Sequence, residues 1–146
     1  MNRNSEIMRY QSDKLSYWLC IFGIIFNIVY FVSIYTNRDI VPDAVIGADV
    51  LINIIFMMIA FLASEKLKLY EKKWNVYAVL LGLAQIVRVL WLPAHFKNLE
   101  MLVGRKYILI VVWLLVSGGA LVFAGLNATI NSKILSKIDD DARVGG

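Results

Sequence analysis

The sequence predicts an all-α membrane protein: a four-transmembrane-helix bundle with both termini cytoplasmic and a short amphipathic C-terminal helical extension. Three observations lead there. The chain is 60% hydrophobic with a mean hydropathy of +0.67, against roughly 45–50% apolar in soluble domains. Charged residues, only 18% of the total, cluster between four long apolar runs, as expected where water bathes only the connections. Lys and Arg are also shared unequally between alternate connections, which fixes an orientation.

Span one covers about residues 15–36 (LSYWLCIFGIIFNIVYFVSIYT). As a helix it rises about 33 Å, enough for a hydrocarbon core of about 30 Å. Its apolar run exceeds the roughly 7–15 residues of a signal-peptide core and no small-x-small site follows, so a retained helix is expected. Span two covers about residues 44–64. Before it, Pro42 suits the approach to a helix and Asp43 an N-cap. Span three covers about residues 74–94, with Pro93 near its end, and span four about residues 107–126. The whole chain, 1–146, reads as one domain.

Beyond Leu126, Ile130, Ile134, Leu135 and Ile138 recur at helical spacing beside Lys133 and Lys137. This predicts two or three further turns, lying on the membrane surface or docked on a partner, and ended by Asp139-Asp140-Asp141.

Arg3, Arg9, Lys14, Lys66, Lys68, Lys72, Lys73, Lys133, Lys137 and Arg143 fall on one side, ten in all, against Arg38, Lys97, Arg105 and Lys106 on the other. Ten against four places both termini inside. Tyr17, Trp18, Trp74 and Tyr77 mark the inner boundary and Tyr35, Trp91 and Tyr107 the outer one, where an apolar ring with a polar tip is accommodated.

Polar residues within the spans carry the most information, because each is costly in lipid and turns toward protein or water. They are Asn27, Asp49, Asn53, Gln85, Arg88 and Ser117. Asp49 and Asn53 are i, i+4 and Gln85 and Arg88 are i, i+3, so each pair shares a helix face. Spans two and three are joined by a short loop and should be antiparallel neighbours. This brings Asp49 to Arg88 and Asn53 to Gln85. Either charge alone at the bilayer centre would cost about 2.5–3.5 kcal/mol, so an ion pair above an amide layer is expected. Such a pair suits the fixing of helix register better than substrate or proton coupling.

Span four offers a second pattern. Ser117, Gly118, Ala120, Ala124 and Gly125, with Gly119 and Ala128, form a small-residue face that lets another helix approach closely. That helix could belong to this chain or to another subunit.

Other chemistry finds little support. Cys20 is the single cysteine and His95 the single histidine, which excludes an internal disulfide, a CxxC pair, a bis-His haem and a His-rich metal site. No Gly-rich phosphate loop, HExxH sequence or intramembrane Ser/His pair is present. No metal, cofactor or nucleic-acid partner is expected. The function expected is that of a non-catalytic integral membrane subunit, in a bacterial inner (plasma) membrane, packing against a larger assembly that could be a transporter. The alternative is a small homo-oligomeric transporter or channel built around Asp49 and Arg88. Lipid-directed acid–base chemistry through His95 and Glu100 is a distant third.

Overall fold

Lipid offers the backbone no hydrogen-bond partner, so an apolar run that enters it must satisfy its own N–H and C=O groups as a helix. The computed structural model describes residues 13–36, 43–91 and 104–144. It holds α1 (Lys14–Thr36), α2 (Asp43–Lys68), α3 (Lys72–Trp91) and α4 (Arg105–Val144), with no strand among the described residues. All four helices are long and apolar enough to cross a membrane. Pro42, Pro93, His95 and Glu100 lie outside the described residues, as does the side chain of Asp43.

The helices are inside-out relative to those of a soluble protein. Buried positions on α1 are Ser16, Cys20, Gly23, Asn27, Tyr30 and Ile34, spaced alternately by four and three. On α3 they are Asn75, Ala78, Gly82 and Gln85. Large apolar side chains point outward instead: Leu15, Trp18, Phe22 and Ile25 on α1, and Val76, Leu80, Leu83 and Val87 on α3. Burying leucine gains little where the solvent is itself hydrocarbon, so close backbone approach and hydrogen bonds hold the helices together.

Helix α4 packs against α1 and α3, and α2 packs against α1 and α3. At one end Asp13 N donates to Lys68 O (3.3 Å), so α1 begins where α2 finishes and the two run antiparallel. Two apolar clusters fill the interior. One gathers Cys20, Phe56, Ala60, Ala63, Leu67, Ala78, Leu121, Ala124 and Ala128. The other gathers Tyr30, Ile34, Ile110 and Leu114. Between them in every helix lie the polar residues singled out from the sequence.

The small-residue face of α4 is occupied by this chain's own helices. A Cβ on Gly82 would stand 2.6 Å from the Gly118 carbonyl oxygen, and one on Gly125 would stand 2.7 Å from that of Asn75. Ser117, Ala124 and Ala128 are buried beside them, and Ala120 is half-buried. This face is therefore consumed within the chain and is not left for a second subunit. Gly119 alone looks away from the interior, with no atom within 4 Å of an added Cβ.

The C-terminal extension is helical, as expected, and runs further than expected: Asp139-Asp140-Asp141 do not stop it, and α4 is one helix of 40 residues, about 60 Å long. Its portion after Leu126 is pinned to neighbouring helices. Asn127 Nδ2 donates to Ser16 Oγ (2.9 Å), Asn131 Nδ2 to Asp13 Oδ2 (2.9 Å), and Asn75 Nδ2 to Ser132 Oγ (3.2 Å). Aspartate lowers helix propensity by only a fraction of a kcal/mol per residue, too little to end a helix already anchored at its start. Ile130, Ile134 and Ile138 face outward.

Asp13 caps α1. Its Oδ1 accepts from Ser16 N (3.1 Å) and its Oδ2 from Ser16 Oγ (2.8 Å), satisfying a donor that the first turn leaves open. The connection at the same end, α2 to α3, turns on Tyr70 at φ 58°. Tyr70 N donates to Leu67 O (3.0 Å) and Glu71 N to Lys66 O (3.2 Å), the pair of bonds that closes a Schellman helix end. Lys66 Nζ to Glu71 Oε1 (2.7 Å) ties the same turn. Burial, then the charge of Asp13, raises the Tyr70 phenol above its ordinary value. Glycine usually holds this left-handed position, since a Cβ there costs about 1–2 kcal/mol. Tyr70→Gly is expected to raise stability by about 1 kcal/mol, whereas Tyr70→Ala, which keeps the Cβ and loses the ring, should lower it. Denaturant unfolding in micelles checks both; a loss with glycine would show that ring contacts outweigh the backbone strain.

Candidate functional site

Asn27, Asp49, Asn53, Gln85 and Arg88 meet in a single layer with a sixth residue, Tyr30. Arg88 is its hub. One guanidinium nitrogen, Nη2, lies 2.5 Å from Asp49 Oδ1 and donates to the Tyr30 hydroxyl at 3.3 Å. The other, Nη1, donates to Asn53 Oδ1 (3.1 Å) and Gln85 Oε1 (2.9 Å). The guanidinium also stands 5.1 Å from the centre of the Tyr30 ring.

Asp49 is equally engaged. Its Oδ2 accepts from Tyr30 OH (3.2 Å) and Asn53 Nδ2 (3.0 Å), and Asn53 Nδ2 also reaches the Asp49 carbonyl (2.7 Å). Gln85 Nε2 then donates to Asn27 Oδ1 (2.5 Å). The bonds thus run from α2 through α3 to α1. Asn27, Asn53 and Gln85 are fully buried or nearly so, while the Arg88 side chain keeps 18% of its surface. Asn27 Nδ2 has no hydrogen-bond partner among the described residues.

Local sequence places each member. Asn27 and Tyr30 are i, i+3 on the buried stripe of α1, Asp49 and Asn53 one turn apart on α2, and Gln85 and Arg88 i, i+3 on α3. Because α2 and α3 are antiparallel, the charged residue of each pair lands at the same level. An arginine with its planar fork of donors suits such a hub, since four acceptors can be met at once without losing the charge.

Ser117 is not wired into this layer. Its hydroxyl donates to the Gly23 carbonyl (2.7 Å), joining α4 to α1 about one turn away. Among the described hydrogen bonds, α4 supplies none to the Arg88 hub. A second polar cluster occupies the end where α1 begins, and comprises Asp13, Ser16, Asn75, Asn127, Asn131 and Ser132. There Asn75 Oδ1 is buried without a partner among the described residues. No group of three or more His, Cys, Asp or Glu side chains is placed to hold a metal among the described residues.

Sequence reasoning missed Tyr30 and most of the second cluster. Tyr30 carried a usable signal, because it falls three residues after Asn27 on one face and a buried phenol needs a partner. Chemically, the Arg88 layer leaves neither charge unmet: each oxygen of the one carboxylate and each terminal nitrogen of the one guanidinium is already engaged within the chain. No protein-family model, curated protein sequence or solved structure matches this chain.

Proposed function

We infer that the protein is a non-catalytic membrane subunit: a four-helix bundle, both termini cytoplasmic, that associates with a larger membrane assembly in a bacterial inner membrane. The observation that carries this reading is the mutual engagement of the two charges in the Arg88 layer. Asp49 and Arg88 are each met by side chains of the same chain, so the charges serve helix register and keep no geometry open toward a substrate. The Lys and Arg distribution, ten residues against four, supports the cytoplasmic termini. Because α1 and α3 occupy the small-residue face of α4, partner contact falls to the outward apolar faces.

The transporter reading is favoured by one observation, the partial exposure of Arg88, which leaves the polar path Asn27, Asp49, Asn53, Gln85, Arg88 open at one point. Native mass spectrometry of the chain drawn from its own membrane in mild detergent separates the two. A subunit is expected to carry other polypeptides with it. A homo-oligomer alone would favour transport, and Asp49→Asn should then abolish flux in liposomes while leaving insertion intact.

A further inference from the structure

Helix α4 outruns the bundle at the end where α1 begins. Asn127 and Asn131 mark the side of α4 that faces α1, through Ser16 Oγ (2.9 Å) and Asp13 Oδ2 (2.9 Å). Helix α1 starts at Lys14, so its cover on that side stops at Asn131, whereas α4 runs on to Val144. Ile134, Leu135 and Ile138 follow Asn131 at three, four and seven residues and therefore continue the same side. Ile134 stays 53% exposed and Ile138 39%. Exposed isoleucines within the spans meet lipid, but these two stand beyond it. The stretch 105–131 already rises about 40 Å against a hydrocarbon core of about 30 Å, so the strip past Asn131 faces water, where apolar surface is unfavourable.

The chain itself arrives at the foot of this strip. Residues 1–12, outside the described residues, join the bundle at Asp13, which is tied to Asn131. Ile7, Met8 and Tyr10 precede Asp13 by three to six residues, a reach of about 10–20 Å. Ile138 stands about 10 Å along α4 from Asn131. Charge agrees with this pairing. Exposed Lys137 and Asp141 edge the strip four residues apart, and Glu6 and Arg3 come in the order that an antiparallel run sets against them. A second copy fits less well. Two copies in one membrane share an orientation, so their strips would run parallel and place Lys137 beside Lys137 and Asp141 beside Asp141.

We propose that residues 1–12 lie along the α4 extension, with Ile7, Met8 and Tyr10 covering Ile134, Leu135 and Ile138. The contact clasps the N-terminal segment to the C-terminal extension outside the membrane. It goes beyond the subunit reading and holds whichever side of the membrane is cytoplasmic.

Hydrogen exchange in micelles, comparing the full chain with a variant lacking residues 2–11, tests the cover. Amides of residues 134–141 should exchange at least about tenfold faster in the variant, the scale of uncovering one half-buried isoleucine. Those of residues 117–127 should not change. Unchanged exchange at 134–141 overturns the proposal. Disulfide formation in the full chain carrying Cys20→Ala names the occupant and does not need the deletion to fold. Met8→Cys with Ile138→Cys should close within one chain much faster than Met8→Cys with Asp140→Cys, which lies at a similar height on the opposite side of α4. Equal rates for the two pairs overturn the proposal. So does Ile138→Cys alone linking two chains faster than the first pair closes, since a second copy would then hold the strip.

Discussion

Arg88→Ala is expected to destabilise the folded protein by about 3–5 kcal/mol, the usual consequence of leaving one member of a buried pair uncompensated. The substitution strands Asp49 inside the hydrocarbon and takes the donor from Asn53 Oδ1 and Gln85 Oε1 together. Three helices meet at this guanidinium, so the loss should show as lower cooperativity as well as a lower midpoint when the protein is unfolded in mixed micelles. Asp49→Leu combined with Arg88→Met removes both charges together and is expected to recover most of that loss, because matched apolar replacements of buried pairs are often close to neutral. Recovery is incomplete, since Tyr30 OH, Asn53 Oδ1 and Gln85 Oε1 then lack partners. An Arg88→Ala protein that inserts and unfolds like wild type would show that the layer does not lock the helices, and the transport reading would gain.

Gly82→Ala should cost about 1–3 kcal/mol, as overpacking of a tight contact does. The new methyl would stand 2.6 Å from Gly118 O and 2.7 Å from Val122 N. These are backbone atoms that cannot turn aside, so α3 and α4 must separate. Separation would strain the neighbouring contact at Gly125 as well. Gly119→Ala, one residue from Gly118 but with open space beside it, should instead gain up to about 1 kcal/mol through helix propensity alone. Measuring both in the same micelles cancels the effect of detergent. Equal stabilities for the two variants would mean that the helices do not approach at Gly82.

The parts of the fold legible in the sequence were those that lipid dictates. Four apolar runs had to be helices, and the start of α1 at Lys14 and its end at Thr36 fall within a residue of the expected span. The meeting of Asp49 with Arg88 followed from spacing plus an antiparallel hairpin, because a charge in hydrocarbon has few affordable neighbours. Tyr30 was hidden because a tyrosine in a membrane protein ordinarily marks the headgroup zone, and only its register with Asn27 separates the two roles. The partner of Ser117 was not legible, because nothing in span four fixes its height against span one; that height is set where α4 approaches Gly23. The continuation of α4 past Leu126 was legible from the spacing of Ile130, Ile134 and Ile138, but its run past the three aspartates to Val144 was not. Its anchors, Asn127, Asn131 and Ser132, are tertiary, made with Asp13, Ser16 and Asn75, and no local pattern announces them.

The distance along the chain between the two charges sets a timing problem during synthesis. Asp49 is made 39 residues before Arg88, and α2 is complete before α3 has begun. Translation at about 5–20 residues per second leaves the aspartate waiting roughly 2–8 s for its counter-ion. Tyr30 and Asn53 are already present and can hydrogen-bond the carboxylate, but neither supplies a positive charge. Released into hydrocarbon in that interval, α2 would bear an uncompensated ion; held at the insertion machinery until α3 emerges, it enters the bilayer with its partner as a neutral hairpin.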